Sequence, residues 1–559
     1  MFQSRTHTCG ALRLENAGEH VTLVGWLENV RVVGNNFAFA ILRDFYGTTQ
    51  FVVETEEMMT AVKAIIKEST ISVTGTVRER ASKNPKLPTG DIEVVPEKIE
   101  VLGRCRYNEL PFEINRSRDA DETVRLKYRY LDLRNPAVKK NIILRCKVVA
   151  ALRKAMTDHD FLEITTPILT ASSPEGARDY LVPARKHPGK FYALPQAPQQ
   201  FKQLLMTSGF DRYFQIAPCF RDEDARGDRS PGEFYQLDME MAFAGQNDVF
   251  AILEDVLPPI FAEYGTYSVA SPAPFKRIAY NDALELYGSD KPDLRIDLLI
   301  SDITDCLAGS EFEPFAAGST VKAIAVTGCE LTRKQIDKLC ADVEVQAGQK
   351  PYWFKVEADG SFAGGVAKFV SPHQKELTEK LGLQPGMFVG VTAGKKTAAQ
   401  KTAGVLRKML GAAVPGHMVK EQYAFCWVVD FPMYEIGEES GELEFCITRS
   451  RCRAAARRRS TRPSPAKSTR SRSRRSSTTL SATAWSCPPA RCGTTTRRSW
   501  SRRSSSSGWA RRTLRSSSRP CTTRSATERP PTRASRRVST AWSCCSRARN
   551  PSARSSRSR

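Results

Sequence analysis

The stretch Pro218–Phe243, PCFRDEDARGDRSPGEFYQLDMEMAF, contains an arginine, a run of carboxylates, a turn and an alternating segment. The alternation predicts a β-strand with two distinct faces. One face carries Phe234, Gln236, Asp238 and Glu240, and the other carries Tyr235, Leu237, Met239 and Met241. Arg212–Ala217 predicts the antiparallel partner strand, with residues 222–232 as the connecting loop. The pattern is compatible with a solvated surface hairpin, and equally with a site that sets the Arg221 guanidinium beside an amide and two carboxylates.

The complete pattern, FRDEDARGDR followed by EF-QLD-E, resembles motif 2 of the class II aminoacyl-tRNA synthetases in the form found in the aspartate enzymes. The resemblance implies that Arg221 and Glu223 are catalytic residues, with Arg221 on the α-phosphate and on the amino acid, and Glu223 on the nucleotide. It also implies ATP contacts at Ser230 and Phe234, the latter stacking on adenine. Gln236 and Asp238 would then face the amino group of aspartate.

The charge of the chain is concentrated in its last part. The 559 residues include 84 Lys and Arg and 61 Asp and Glu, which gives a net charge of +23. Arg449–Arg559 holds 31 of these basic residues and a single carboxylate, Glu528, so its charge is +30 and the rest of the chain is at −7. The basic character therefore belongs to the tail, and the preceding part is long enough for several domains.

The 15 cysteines have neither the spacing of a disulfide framework nor that of a metal site. Reduced thiols and a cytoplasmic location are therefore expected. The sequence shows no signal peptide and no apolar run long enough to cross a membrane.

Residues 1–105 predict a small β-barrel. Five candidate strands are Val21–Trp26, Phe37–Arg43, Thr48–Val53, Ile71–Val77 and Ile92–Val101, with a helix at Glu57–Lys67 between the third and fourth. This order is that of the OB-fold, which binds oligonucleotides on its open face.

RTHTCGALRL and LRDFYGTTQ in this region resemble the anticodon-binding domain of the same synthetases. The resemblance implies that Arg31, Phe39 and Gln50 bind tRNA as a cation for phosphate, a ring for stacking and an amide for a base edge. A barrel-core position is the alternative for Phe39.

The chain then continues in four predicted parts. Residues 106–135 form a hinge, and 136–271 form the catalytic domain with motifs 1 and 2. Residues 272–422 resemble the insertion of bacterial-type aspartyl enzymes, entered by YGSDKPDLR at Tyr287–Arg295 and predicted as an α/β module with a strand-rich GSFAGGVAKFV. Residues 423–446 return to the catalytic sheet.

Motif 1 is represented by a predicted helix, Asn141–Asp158, that leads into a strand at FLEITTPIL. In this superfamily motif 1 builds the subunit interface, so the resemblance implies a homodimer. Pro167 fits the edge of a sheet, where no ladder donor is needed.

Three further residues precede motif 2 in the family order. Glu175 offers a charge for an ammonium group, and Gln199 and Lys202 offer an amide and a cation for a carboxylate. Their joint match implies an aspartate pocket, in which an uncharged competitor would leave the buried cation unpaired.

After Phe445 the composition changes to Arg, Ser, Thr, Ala and Pro. Residues 447–559 are either a disordered RNA-binding arm or the product of a frameshift near codon 446. The frameshift requires each true codon to start one nucleotide before the codon translated here. In that frame, the DNA that encodes Cys446–Cys452, Trp485–Thr495 and Val538–Ser546 can encode HHPFSMP, ELSSGAVRNHD and GIDRMVMLL, respectively. These are three family motifs in their family order. The chain would then lack motif 3 and its ATP-binding arginine, and we expect the tail to make few contacts and the sheet to leave apolar strands exposed.

The resemblance as a whole implies an α+β multidomain fold with an antiparallel catalytic sheet, and an aspartate–tRNA ligase activity. ATP and Mg²⁺ are the implied cofactors, the protein ligand of Mg²⁺ being expected in the lost C-terminal sequence. The implied partners are tRNA, aspartate and a second subunit, with no membrane. The alternatives are a non-catalytic RNA-binding OB-fold protein with a basic arm, and a ligase that also charges asparagine tRNA.

Overall fold

A computed structural model of the chain describes residues 4–172, 177–223, 232–432, 434–436, 443–445 and 479–483. The chain divides into two compact units, Met1–Lys140 and Asn141–Arg559. Short 3-10 turns occupy Leu14–Asn16, Ile114–Asp119, Asp305–Leu307, Glu313–Phe315 and Ser371–His373. None of the helices in the described ranges is long and apolar enough to cross a membrane.

The first unit is built on a closed five-stranded barrel, which confirms the predicted OB-fold. Its elements are β1 His20–Gly34, β2 Phe37–Arg43, β3 Thr48–Val53, α1 Glu56–Lys63, β4 Thr70–Glu79 and β5 Ile92–Gly103. The strands close in the order β1-β2-β3-β5-β4. Alternate apolar residues of β1 and β4, such as Val21, Leu23, Ile71 and Val73, fill the interior because side chains of a strand point to opposite faces in turn.

The predicted hinge is folded against the barrel within this first unit. It contains the short helices α2 Glu122–Lys127 and α3 Arg129–Asp132. Asp132 is completely buried, and its carboxylate accepts hydrogen bonds from Ser117 Oγ at 2.7 Å and Arg125 Nε at 3.1 Å. Arg134 donates to Glu68 of the barrel at 2.6 Å. The contact of Arg134 with Glu68 therefore joins the predicted hinge to the barrel, and the role of residues 106–135 as a hinge remains a prediction.

The segments that resemble motifs 1 and 2 begin with a helix that crosses from the first unit into the second. The elements of this region are α4 Pro136–Asp158, β6 Leu162–Glu163, β7 Leu181–Pro183, β8 Phe191–Ala193, α5 Gln199–Thr207, β9 Arg212–Phe220, β10 Glu233–Met241, α6 Gln246–Tyr264, β11 Ser268–Val269, β12 Lys276–Ala279 and α7 Tyr280–Tyr287. The order of one sheet is β10-β9-β6. The apolar face of β10, including Leu237 and Met239, packs on α4 and α6. The opposite face of β10, which carries Gln236, Asp238 and Glu240, does not take part in this apolar packing.

The strand predicted after α4 is shorter than its sequence suggests. Only Leu162–Glu163 pairs, in parallel with β9, and Pro167 lies in the irregular segment that follows. The expectation that Pro167 sits within an edge strand is therefore wrong. Pro lacks the amide hydrogen that a longer pairing with β9 would use.

An α/β module follows, as predicted. Its elements are β13 Ser301–Asp302, β14 Thr320–Val326, α8 Arg333–Ala347, β15 Tyr352–Val356, β16 Phe362–Ala363, α9 Ala367–Val370, α10 Gln374–Leu381, β17 Phe388–Gly394 and α11 Lys396–Ala413. The sheet order is β13-β14-β17-β15-β16. Val321 and Ala323 of β14 point into one core, and Ile324 and Val326 point into another. Both faces of the sheet are thus covered.

The expectation that GSFAGGVAKFV is rich in strand is wrong. Only Phe362–Ala363 pairs, and α9 begins four residues later. Gly364 and Gly365 have positive φ values of 76° and 43° and pass close to Trp353. This left-handed backbone conformation ends the strand. Glycine adopts it without steric strain because it has no Cβ.

The chain returns to the region predicted as catalytic through β18 Gln422–Val429, followed by β19 Tyr434–Ile436, β20 Leu443–Phe445 and β21 Thr479–Thr483. β18 pairs in parallel with β11 and β12, so the sheet predicted as antiparallel is mixed. Trp427 and Phe425 of β18 are buried, with Trp427 stacked on Phe250 of α6 and Phe275 stacked on Phe425. The expected exposure of this apolar strand is therefore wrong, since α6 and residue 275 cover it.

The tail makes one described contact with this sheet. Its five described residues form β21, which pairs antiparallel with β18 so that Leu480 lies opposite Trp427. The prediction of few tail contacts is wrong for this segment. Backbone hydrogen bonds do not depend on side-chain identity, so a strand of polar composition can still occupy the edge of β18.

Candidate active site

The polar face of β10 and the helix α5 form the two sides of a buried polar pocket. β10 pairs antiparallel with β9 over nine residues, and Asp238 lies opposite Gln215. Helix α5 begins at Gln199, and Gln199 and Lys202, three residues apart, are its two buried side chains. Residues at this spacing share a helix face, so both side chains point to the sheet rather than to solvent.

Lys202 connects the two sides. Its Nζ donates to Asp238 Oδ1 at 2.5 Å and lies 3.6 Å from Glu240 Oε2. All three side chains are buried, at 3%, 7% and 4% exposure for Lys202, Asp238 and Glu240. Two carboxylates and one ammonium leave a formal charge of −1 in the pocket, which favours a cationic ligand group.

Three buried polar atoms of the pocket have no hydrogen-bond partner among the described residues. They are Gln199 Nε2, Asp238 Oδ2 and Glu240 Oε2. Buried polar groups are nearly always satisfied in native proteins, so each exception requires an explanation, and a bound ligand is one such explanation. One free donor and two free acceptors thus remain for a small ligand that carries both an ammonium group and a carboxylate.

Polar residues of β9 and of the segment before it form hydrogen bonds next to the β10 side chains. Tyr213 Oη donates to Gln215 Oε1 at 2.9 Å, and Thr166 Oγ1 donates to the same oxygen at 3.0 Å. Burial, followed by the charge of Asp238, raises the pKa of Tyr213 well above its ordinary value. Its hydroxyl therefore stays protonated as a donor.

Sequence reasoning did not select Glu240, Tyr213 or Gln215 as site residues. Glu240 could have been selected from the sequence, because it continues the alternation that places Gln236 and Asp238 on one face of the strand. For Gln215 the signal was its register opposite Asp238, which depends on the pairing of β9 and β10. The length of the loop between the strands does not determine that register.

Arg221 and Phe234 lie together where β9 ends and β10 begins. Arg221 Cζ is 4.9 Å from the centre of the Phe234 ring, and the Arg221 amide donates to Gly232 O at 2.8 Å. Both side chains are half-buried, whereas Glu223 is exposed. Gln236 is buried, and its Oε1 lies 3.1 Å from Cys219 Sγ. The structure thus brings Arg221, Phe234, Gln236, Asp238, Gln199 and Lys202 to one hairpin and its neighbouring helix.

Two predicted site residues, Glu175 and Ser230, lie outside the described residues. Within the described part of the chain no group of three or more His, Cys, Asp or Glu side chains could hold a metal ion. These residues therefore do not fit a Mg²⁺ site by themselves.

The predicted tRNA-binding residues share one outer face of the barrel. Arg31 of β1 lies opposite Phe39 of β2, with its Cζ 5.6 Å from the ring centre. Ala38 and Ala40, which flank Phe39, are fully buried, whereas Phe39 itself is half-buried. Phe39 therefore points away from the barrel interior, and the core alternative is wrong.

Gln50 lies on the same face but is already hydrogen bonded. It pairs with Ile41, two residues after Phe39. Its Nε2 donates to Glu93 at 2.9 Å, and its Oε1 accepts from Arg80 at 3.1 Å. A base edge read by Gln50 would thus also meet the charges of Arg80 and Glu93.

Two families match the chain in these regions. Residues 121–480 match the family described as tRNA synthetases class II (D, K and N). Residues 21–102 match the OB-fold nucleic acid binding domain. The first range includes β9, β10 and α5, and the second includes nearly all of the barrel.

Two relatives named as ligases agree with these matches. An aspartate–tRNA ligase of Streptomyces avermitilis is 49% identical over 451 residues, covering 80% of this chain and 76% of the relative. An aspartate–tRNA(Asp/Asn) ligase of Acidiphilium cryptum is 48% identical over 454 residues, with coverages of 80% and 76%. The crystal structure of asparaginyl-tRNA synthetase from Pyrococcus horikoshii with asparaginyl-adenylate has a TM-score of 0.46 and 18% identity, covering 75% of this chain and all of that one.

Proposed function

Because this chain belongs to the class II aminoacyl-tRNA synthetases of the aspartate, lysine and asparagine group, we propose that it is an aspartate–tRNA ligase acting in the cytoplasm. The carboxylate of aspartate attacks the α-phosphorus of ATP, and pyrophosphate leaves. A terminal ribose hydroxyl of tRNA then takes the aspartyl group from the adenylate, and AMP leaves.

The buried contact of Lys202 with Asp238 and Glu240 is the observation that carries this proposal. An amino acid with an acidic side chain presents an ammonium group and two carboxylates. Asp238 suits the ammonium group, and Lys202 and Gln199 suit the side-chain carboxylate. An amide side chain in place of the carboxylate would bring no negative charge to Lys202 and would lose that part of the attraction, which makes the pocket selective.

The nucleotide would occupy the exit of β9. Arg221 is half-buried and offers a guanidinium to the α-phosphate, where negative charge develops during attack. Since Arg221 already covers one face of the Phe234 ring, adenine would stack on the other face. Glu223 is exposed and free to contact the nucleotide. Catalysis in this step is positioning and charge neutralisation.

Glu175 and Ser230 keep the roles that the family resemblance implies, as a partner for the ammonium group and as an ATP contact. Motif 3 would supply a further arginine and the Mg²⁺ ligand, and the motif 3 sequence is not encoded after Phe445 in the frame of this sequence. We therefore propose that the chain as written is impaired.

The barrel would bind the tRNA anticodon with the face that carries Arg31, Phe39 and Gln50. A ring that is half-exposed beside a guanidinium is suited to base stacking next to a phosphate. The match of residues 21–102 to a nucleic acid binding OB-fold supports this assignment.

A second subunit would cover exposed apolar residues of the motif 1 helix and of the segment that follows it. Ile142, Leu162, Ile168 and Leu169 are between 44% and 57% exposed. Exposed clusters of large apolar side chains commonly mark protein interfaces. Sedimentation of the purified chain would give a dimer, and a monomer at all concentrations would contradict this part of the proposal.

The activity is tested by ATP–pyrophosphate exchange driven by aspartate, asparagine or glutamate. In a version of the chain with the frame restored near codon 446, we expect exchange with aspartate alone. Absence of exchange combined with retained tRNA binding would favour a non-catalytic RNA-binding protein instead. Charging of purified aspartate and asparagine tRNAs would then show whether one or both are substrates.

The frame hypothesis is tested by a paired measurement. The chain as written is compared with a version in which one nucleotide is restored near codon 446. We expect the restored version to form adenylate much faster. Equal activity of the two would refute the frameshift and make the tail a functional part of the enzyme.

A further inference from the structure

The side chain of Gln196 is buried, at 1% exposure, and forms hydrogen bonds with the segment Ala177–Asp179. Its Nε2 donates to Ala177 O at 2.8 Å and to Asp179 Oδ1 at 2.5 Å. Its Oε1 accepts from the amide of Ala177 at 3.3 Å. All hydrogen-bonding atoms of this amide group are thus directed to Ala177–Asp179.

The chain around Gln196 is itself fixed on both sides. Leu194 donates its amide to Tyr180 O at 2.9 Å, and Pro195 O accepts from the amide of Phe220 at 2.9 Å. Phe220 is the last residue of β9. Residues 194–196 therefore lie between the segment held by Gln196 and the end of β9.

The segment held by Gln196 is in turn bonded to the residue after Arg221. The amide of Asp222 donates to Arg178 O at 3.0 Å, and Arg178 Nε donates to Asp222 O at 2.8 Å. These two bonds fix the backbone on one side of Arg221. On the other side, Arg221 N donates to Gly232 O, which closes the hairpin.

Packing alone does not require an amide side chain at position 196. An apolar side chain of similar size would fill the same buried space without a desolvation cost. A primary amide, however, can accept from and donate to the same backbone residue and still reach a carboxylate. No role in substrate contact has been given to Gln196, which lies three residues before Gln199.

We propose that Gln196 is a positioning residue for Arg221, acting through Ala177–Asp179 and the backbone of Asp222. This inference rests on the proposed function, because Arg221 has a task only if the chain activates an amino acid with ATP. Held in place by these bonds, the guanidinium meets the α-phosphate without reorganising, which lowers the barrier of the chemical step rather than substrate affinity.

The first measurement is hydrogen exchange of backbone amides in the full-length chain. In Gln196→Ala the amides of Ala177 and Asp222 should exchange about 10-fold faster or more, since hydrogen bonds that hold them are lost or weakened. Gln196→Glu keeps the size and one acceptor but places a carboxylate against Asp179, and it should act in the same direction. Gln200→Ala, at an exposed neighbour, is the matched control. Unchanged exchange at Asp222 in both variants would overturn the proposal.

The second measurement is a double-mutant cycle in aspartate-dependent ATP–pyrophosphate exchange, made in the chain with one nucleotide restored near codon 446. Gln196→Ala should lower kcat about 10-fold or more, with KM for aspartate and for ATP nearly unchanged. In an Arg221→Lys background the same change should have little further effect, because both substitutions remove one function. Fully additive losses, or a loss confined to KM, would overturn the proposal. If the frame-restored chain shows no pyrophosphate exchange with aspartate, the proposed function fails, and hydrogen exchange of the Asp222 amide alone decides the role of Gln196.

Discussion

Lys202 Nζ lies 2.5 Å from Asp238 Oδ1, and both side chains are almost completely buried. The contact joins helix α5 to strand β10 across 36 residues of sequence. Because Glu240 is only 3.6 Å from the same ammonium group, neutralisation of the pocket is incomplete. The ion pair therefore contributes both to the packing of the helix on the sheet and to the charge that selects a ligand.

Lys202→Met should weaken aspartate use far more than ATP use, because it removes the cation for the side-chain carboxylate. It also leaves Asp238 and Glu240 buried without a counter-charge, and loss of one partner of a buried pair costs about 3–5 kcal/mol of unfolding free energy. Steady-state kinetics for both substrates, together with thermal unfolding, measure the two effects. Lys190→Met, at an exposed position, is the control. Equal losses for aspartate and ATP would indicate damage to the fold instead.

Arg221→Lys should keep the charge but lose the planar fork that can hold two phosphate oxygens. Removal of a single donor to a transition state typically lowers the rate by about 10²–10³-fold. Single-turnover adenylate formation in the frame-restored chain is the measurement. Arg185→Lys, at an exposed arginine, should leave the rate unchanged. Adenylate formation at the unmodified rate in Arg221→Lys would remove this residue from the mechanism.

Phe39→Ala should weaken tRNA binding while leaving the barrel folded. Its ring points outward, and loss of one stacked base costs about 1–3 kcal/mol of binding. Phe51→Ala is the contrasting variant, since Phe51 is 1% exposed and its truncation should cost about 3–5 kcal/mol of stability. Filter binding of tRNA and thermal unfolding distinguish the two. Unfolding of Phe39→Ala at a strongly reduced temperature would argue against an outward ring.

Ser481→Pro should loosen the edge of the catalytic sheet. Ser481 lies opposite Cys426 in the pairing of β21 with β18, and proline removes the amide hydrogen at that position. We expect faster hydrogen exchange at Ala424–Val428 than in the unmodified chain, with Ser481→Ala as the control. Identical exchange in all three chains would mean that this pairing does not protect β18 in solution.

Acidification should stabilise the module through His417. His417 Nδ1 contacts Asp297 Oδ1 at 2.8 Å, and Nε2 contacts Thr327 O at 2.9 Å. Burial lowers the pKa of His417, but the contacts with Thr327 and Asp297 outweigh it, and the net pKa is raised. A raised pKa contributes stability that is complete below the unfolded value and is lost as pH rises through the folded one.

His417→Gln should therefore reduce the gain in unfolding temperature between about pH 8 and about pH 6. His373→Gln is the control, because His373 is on the module and contacts Glu376 only at 3.7 Å. An unchanged pH profile in His417→Gln would show that this imidazole does not titrate with unfolding.

The sequence by itself determined the elements whose pattern is local. Phe37–Arg43 and Thr48–Val53 were predicted with the bounds that the structure has, because strand alternation and flanking turns are properties of contiguous residues. The polar face of β10 followed from the same period. Family resemblance added Gln199 and Lys202, which no local pattern would have paired with that face.

The tertiary structure decided which of these residues meet. Alternation showed that Phe39 and Ala38 point to opposite sides, but barrel closure determined which side is the interior. The approach of Lys202 to Asp238, the bonds of Gln196 to Ala177 and Asp179, and the pairing of β21 with β18 all join segments distant in sequence. Such contacts depend on strand register and helix placement, which are set by packing of the whole domain, and no local period of side chains encodes them.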